Sequence, residues 1–223
     1  ATASSGDITD AASTTLVVTG LGDLTSTSGD ITLGDDGGDT TNFGSLNVQG
    51  TTVTLTEDST TELADVDATT LTLVSGGAIS QTGALSVSGV ATLTAPSASI
   101  TLDNSGNDFG TVTIGGTSST SVTLNDTDDL ALGGLDITGN LDVDAGGALT
   151  DGGNTLSVDG TASLATTGSG SNITLTGLDV TGAFDVNTAA TSNATLTNTG
   201  AIEFSGSSTV NGNLVATASS GDI

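Results

Sequence analysis

Apolar side chains recur at every second position in short runs along this chain: Leu16 and Val18, Ile31 and Leu33, Leu46 and Val48, Val53 and Leu55, Leu71 and Leu73, Leu85 and Val87, Ile100 and Leu102, Val122 and Leu124, Leu141 and Val143. A period of two turns one face of an extended strand toward a core, whereas an amphipathic helix repeats every 3.6 residues. The runs are short and separated by Gly, Asn, Asp, Ser and Thr, which predicts brief strands joined by turns. Thr and Val suit a pleated surface, and the chain lacks the Lys, Arg and Met that favour helices.

The strands are also repeated. An LxVxG phrase opens at Leu16, Leu85 and Leu156, spacings of 69 and 71 residues, and ATASSGDI stands at both 1–8 and 216–223, a period of 215. The three subrepeats run 16–84, 85–155 and 156–223. They align Leu24 with Leu93 and Leu164, Ile31 with Ile100 and Ile173, and Val53 with Val122 and Ala194. A closed antiparallel sandwich has no reason to recur in this way. A parallel β-solenoid, whose coils cannot bury their inner faces alone, must. The expectation is one continuous solenoid over 1–223, cut from a tandem array, with about three strands per coil, three coils per subrepeat and roughly nine or ten coils in all. Stacked Leu, Val and Ile would fill its narrow core, in keeping with the 2 % aromatic content, and Pro96 falls in a turn.

The phrases LSVSGVATLTAPSASITLDNSGNDFGTVTIGG at 85–116 and LDVDAGGALTDGGNTLSVDG at 141–160 resemble the repeats of filamentous haemagglutinin-type bacterial surface proteins. That resemblance covers nearly the whole chain. It implies a right-handed parallel β-helix, exported and displayed outside a bacterial cell as part of a long adhesin or fibre, with a glycan or protein receptor as the partner of an adhesin. The chain departs from such proteins in having no Lys or Arg at all.

Composition narrows the chemistry. With 26 Asp and Glu and no Lys, Arg or His, the formal charge is −26, and Cys, Met, Trp and Tyr are absent as well. Disulfides, thiolates and imidazole bases are thereby excluded. Nucleic acid is opposed by the sign of the charge, and no apolar stretch reaches the roughly 18–20 residues of a membrane-spanning helix. An acidic rod attracts divalent cations. The best candidates for calcium are Asp35, Asp36 and Asp39 in GDDGGD, Asp126, Asp128 and Asp129 in NDTDD, and Asp142 with Asp144, which flank an inward Val143. None follows an EF-hand or glycine-rich calcium repeat.

No catalytic residues are expected. A glycosidase can work with two carboxylates, and Asp126 with Asp128 is the available pair, but a serial repeat does not build one cleft. Ice binding by a solenoid needs outward TxT pairs on one side in consecutive coils. Thr54 with Thr56 and Thr195 with Thr197 share a subrepeat slot in which the middle copy reads Thr123, Leu124, Asn125, so that ladder reads as broken. Sequons at Asn125, Asn172 and Asn193 are expected by chance in so Asn- and Thr-rich a chain. The reading is a structural filament of like units meeting end to end, without enzymatic activity, resistant to trypsin-like proteases because it offers them no Lys or Arg.

Overall fold

A computed structural model describes residues 1–116 and 119–223. Among these residues there is no helix, and the strands join in one parallel sheet that winds as a β-solenoid of about ten coils. Side chains of like kind stack coil on coil, because each strand pairs in parallel register with the strand one coil on. Thr61, Ile79, Ile100, Val122, Leu141, Ala162, Phe184 and Phe204 form one such inward column. Nearly all these aliphatics are sealed from water, and each fully buried side chain contributes roughly 1.5–3 kcal/mol.

Following one side along the rod counts the coils. Five pairings carry Ile8 through Ile31, Val53, Leu71 and Ala91 to Val112. Five more carry Thr111 through Ala131, Thr150, Thr174 and Thr195 to Val215. A coil therefore takes about 21 residues, where three coils to each subrepeat of about 70 would give ~23, and at ~4.8 Å per strand the ten coils are about 48 Å long. A subrepeat of about 70 residues then spans about three and a third coils. This corrects the alignment of subrepeats with whole coils: Ile31 and Ile100, equivalent in sequence, lie on different sides of the rod.

Four sides can be distinguished in chain order. Side 1 carries Ile31–Leu33, Leu71–Leu73 and Ala194–Asn198. Side 2 carries Leu135–Ile137 and Leu156–Val158, side 3 carries Ile100–Leu102 and Leu141–Ala145, and side 4 carries Val66–Ala68 and Leu85–Val87. Among the described residues only three are named strands in any one coil. Before residue 116 side 2 is a turn, as at Ala95–Ser99, where Pro96 sits and the Ala98 N–H donates to the Ala95 carbonyl. Beyond residue 140 side 4 is the turn, reduced to Gly146–Ala148 in one coil.

Buried polar side chains close the corners. The Leu85 N–H donates to Asn107 Oδ1 at 3.0 Å, and Asn107 Nδ2 donates to the Leu102 and Asn125 carbonyls. Phe109 N–H donates to Asp126 Oδ2 at 2.7 Å, and Val180 N–H to Asn198 Oδ1 at 2.8 Å. Each bond satisfies a backbone amide or carbonyl where the strand bends.

Candidate functional site

The turn after Ile31–Leu33 carries Asp35, Asp36 and Asp39, with Gly34 and Gly38 at positive φ (73° and 145°) bending it back on itself. Two of these three converge. Carboxylate oxygens of Asp35, Asp39 and Asp10 lie within 4.8 Å of one another, the only such group of three or more acidic side chains among the described residues. Asp10 comes from the preceding coil, and its Oδ2 accepts the Gly34 N–H at 3.0 Å. Asp39 accepts the Thr14 N–H at 2.7 Å and the Asp36 N–H at 3.0 Å, so Asp36 enters through its backbone. Asp10 was missed in the sequence because 25 residues separate it from Asp35; only the stacking of coils brings them together.

The second cluster is divided by the corner it occupies. Asp126 is buried, with Oδ2 on the Phe109 amide and Oδ1 on the Asp128 amide at 3.0 Å. Burial pushes its carboxyl up to about 6, against the pull of those two amides. Asp129 accepts the Ala148 N–H of the next coil at 2.6 Å, and Asp128 points to solvent. Asp126 thus has both oxygens engaged by backbone amides, and the neighbouring Asp128 carboxylate adds to the rise of its carboxyl.

Asp142 and Asp144 point outward together on side 3, flanking buried Val143. Burial raises the Asp144 carboxyl above its usual range, and the neighbouring Asp142 charge adds to the rise. Asp144 and Asp126 line a shallow cavity of about 230 Å³ floored by Gly146 and Ala145.

Glu57 escaped sequence reasoning because it occupies an inward position in an otherwise ordinary strand. It is buried, Oε1 accepts the Phe43 N–H, and neither its Oε2 nor Thr41 Oγ1 has a partner among the described residues. Burial raises its carboxyl, opposed by the nearby Thr61 hydroxyl and by the Phe43 amide.

The rod is open at its ends. A cavity of about 490 Å³ lined by Ile8, Leu16, Val18, Leu21, Leu24 and Phe43 exposes the core at the N-terminal coil, and Leu214 and Val215 are about half exposed at the other end. The octamer common to both ends is seen once with each edge paired: Thr2 and Ala3 bond forward to Thr25 and Ser26, while Thr217 and Ala218 bond back to Thr197 and Asn198.

No curated protein and no solved structure matches the chain. A family model described as repeats of unknown function (DUF5649) matches it twice in tandem, over residues 50–115 and 119–187. The two matches start 69 residues apart and together take in more than half of the sequence, so the chain belongs to the DUF5649 repeat family.

Proposed function

We propose that the chain is a length of an extracellular structural rod, of the kind displayed by haemagglutinin-type surface fibres, in which like units continue one another end to end. The observation that carries this reading is the shared octamer. Overlaying its two copies gives a strand bonded below to residues 197–198 and above to residues 25–26, with coil steps of 20 and 23 residues that fit the rest of the solenoid. The exposed apolar cavity at one end and Leu214 and Val215 at the other are then covered by neighbouring units.

The charge suits such a rod. Twenty-six acidic groups over a rod of about 48 Å keep neighbouring rods apart laterally and gather divalent cations. In this reading calcium is held between coils by Asp10, Asp35 and Asp39, tying the first coil to the second.

Electron microscopy of the native material tests the main claim: straight rods many units long are expected, and isolated particles about one unit long would overturn it. Thermal melts test the cation. Millimolar calcium should raise the melting temperature by several degrees in the parent chain and not in Asp39→Asn, and equal shifts in both would remove the site.

A further inference from the structure

The stacking that displaced the subrepeats from whole coils also assembles a surface that the repeat alignment conceals. On side 1, Thr9, Thr32, Thr54, Thr72, Thr92 and Thr113 stand in direct register in six consecutive coils. Beside them on the same strands run Thr52, Thr70, Val90 and Thr111. The subrepeat alignment reads the ladder as broken because it sets Thr54 and Thr56 against Thr123 and Asn125. Thr123 lies on side 3, between Thr101 and Asp142, and is no part of this array.

One further observation separates side 1 from the rest of the rod, and two more bear on what it can bind. The first is charge. Outward strand positions carry Asp136 and Asp179 on side 2, Glu62, Asp142, Asp144 and Asp185 on side 3, and Asp65, Asp67 and Asp108 on side 4. Side 1 has none among its outward strand positions; Asp7 and Asp30 stand at its corner, before the strands of the first two coils. The second is hydrogen bonding: like the outward Thr101 and Thr123 of side 3, and unlike the buried Thr61, Thr166 and Thr188, whose hydroxyls bond within the chain, these threonines have no side-chain partner among the described residues. The third is the lack of any ring. Phe43, Phe109 and Phe184 are buried and Phe204 packs against the core, so this side offers no platform for stacking sugars.

What remains is an uncharged, two-dimensional array of methyl and hydroxyl groups. Its spacings are about 4.8 Å between coils and about 6.6 Å between alternate residues of a strand. β-Branched side chains are stiff about χ1, so the array is held in place before anything binds and little entropy is lost on binding. A partner that profits from such an array must itself be a rigid neutral lattice of hydrogen-bonding groups with similar repeats. The oxygen lattice of hexagonal ice on its prism face repeats close to both spacings, a little shorter than the one between coils and somewhat longer than the one along a strand, and Val90 keeps the shape of the threonine it replaces in the array. We propose that side 1, from Thr9 to Thr113, is an ice-binding face.

The other side of the same coils fits this assignment. The acidic sides 3 and 4 stay hydrated and hold rods apart, leaving the neutral side free for the crystal. The array ends where it should for lack of hydroxyls: the next coil offers Ala131 and Gly133, and Thr113 Oγ1 already occupies the place of a Gly133 side chain. It resumes in the column of Thr111 with Thr150, Thr174 and Thr195 in the three coils after Ala131.

Ice growth in the presence of the full 223-residue chain tests the assignment. The chain should facet a seed crystal and hold its growth below the melting point. Thr72→Tyr and Thr92→Tyr, in the middle of the array, should lower that activity by roughly tenfold or more, since a ring lifts the lattice off several neighbouring coils. Ser157→Tyr on side 2 and Thr123→Tyr on side 3 should leave it unchanged, and circular dichroism and melting temperature should be the same in all four variants. Unshaped ice in the parent chain would overturn the proposal, and so would equal loss from the side 2 or side 3 variants. If sedimentation shows a dimer that Thr72→Tyr dissociates while ice grows freely, the face belongs to a second copy of the chain instead.

Discussion

The two halves of the rod keep a three-sided cross-section but build it from different sides. In the N-terminal half, side 4 is a strand and the Ala95–Ser99 corner is a turn; in the C-terminal half that corner has grown into Leu135–Ile137 and side 4 has shrunk to Gly146–Ala148. One column records the approach to the change. Gly50, Ala68, Val87 and Phe109 stack on one another in order of increasing volume, and one coil further the column ends. Phe109 fills the interior where side 4 closes, and Asp126 caps its amide. A side and a corner are thus interchangeable in this solenoid, provided that the core stays filled and the bent backbone finds a hydrogen-bond acceptor.

The strongest way to break this comparison is to empty the changeover. Phe109→Ala should cost about 3–5 kcal/mol, since the surrounding coils are pinned by their ladders and cannot collapse into the space. In a stack whose coils touch only their neighbours, a weak interface in the middle also separates the two halves, so urea unfolding should divide into two transitions. Phe184→Ala removes the same ring from side 3, which is a strand in both halves, and should lower stability with one transition retained. A single, little-shifted transition for Phe109→Ala would mean that the changeover carries no special stress.

A smaller effect should distinguish the two forms of side 4. A methyl group on Gly146 would sit 2.0 Å from the Thr127 carbonyl oxygen, a backbone atom that cannot swing away. Gly146→Ala should therefore cost about 1–3 kcal/mol. Gly50 lies in the open form of the same side, where an added methyl meets Ile31 and Val53 side chains at 3.3 Å and a neighbouring column position already holds Ala68. Gly50→Ala should change stability by under about 1 kcal/mol. Equal costs in denaturant titrations would erase the distinction between a true side and a folded-in corner.

How far the sequence discloses this architecture follows from what each signal measures. Alternation at Ile31–Leu33 or Leu71–Leu73 fixes strand and inward face, because burial acts residue by residue; stacked aliphatics and missing rings then point to a narrow core. Register between coils is another matter. It depends on turn lengths, and these vary so that Leu46 pairs 17 residues ahead, with Leu63, while Thr15 pairs 25 ahead, with Thr40. Polar turns carry no mark of which length will close. Hence the convergence of Asp10 with Asp35 and Asp39, the inward carboxylates of Glu57 and Asp126, and the threonine array were all hidden, although most of the strands involved are legible; Ile8–Thr9 is not. Asp142 and Asp144 were placed correctly because their relation lies within one strand.

The smallest predicted effect concerns the two buried carboxylates, one on each side of the changeover. Glu57 and Asp126 both accept a phenylalanine amide, and burial raises both carboxyls. For Asp126 the folded value is about 6 against 3.8 for an ordinary aspartate, so between those values the folded chain holds a proton that the unfolded chain has released. Stability conferred by that proton is complete below about 4, falls as the pH climbs through the window and is gone above about 6. Allowing for partial hydration of the corner, the swing is about 1–2 kcal/mol. Asp126→Asn cannot titrate, so its unfolding free energy relative to the parent should improve by that amount between pH 4 and pH 7. Glu57→Gln should change in the same direction. A difference independent of pH would show that Asp126 stays ionised in the fold, with the Phe109 and Asp128 amides outweighing its burial.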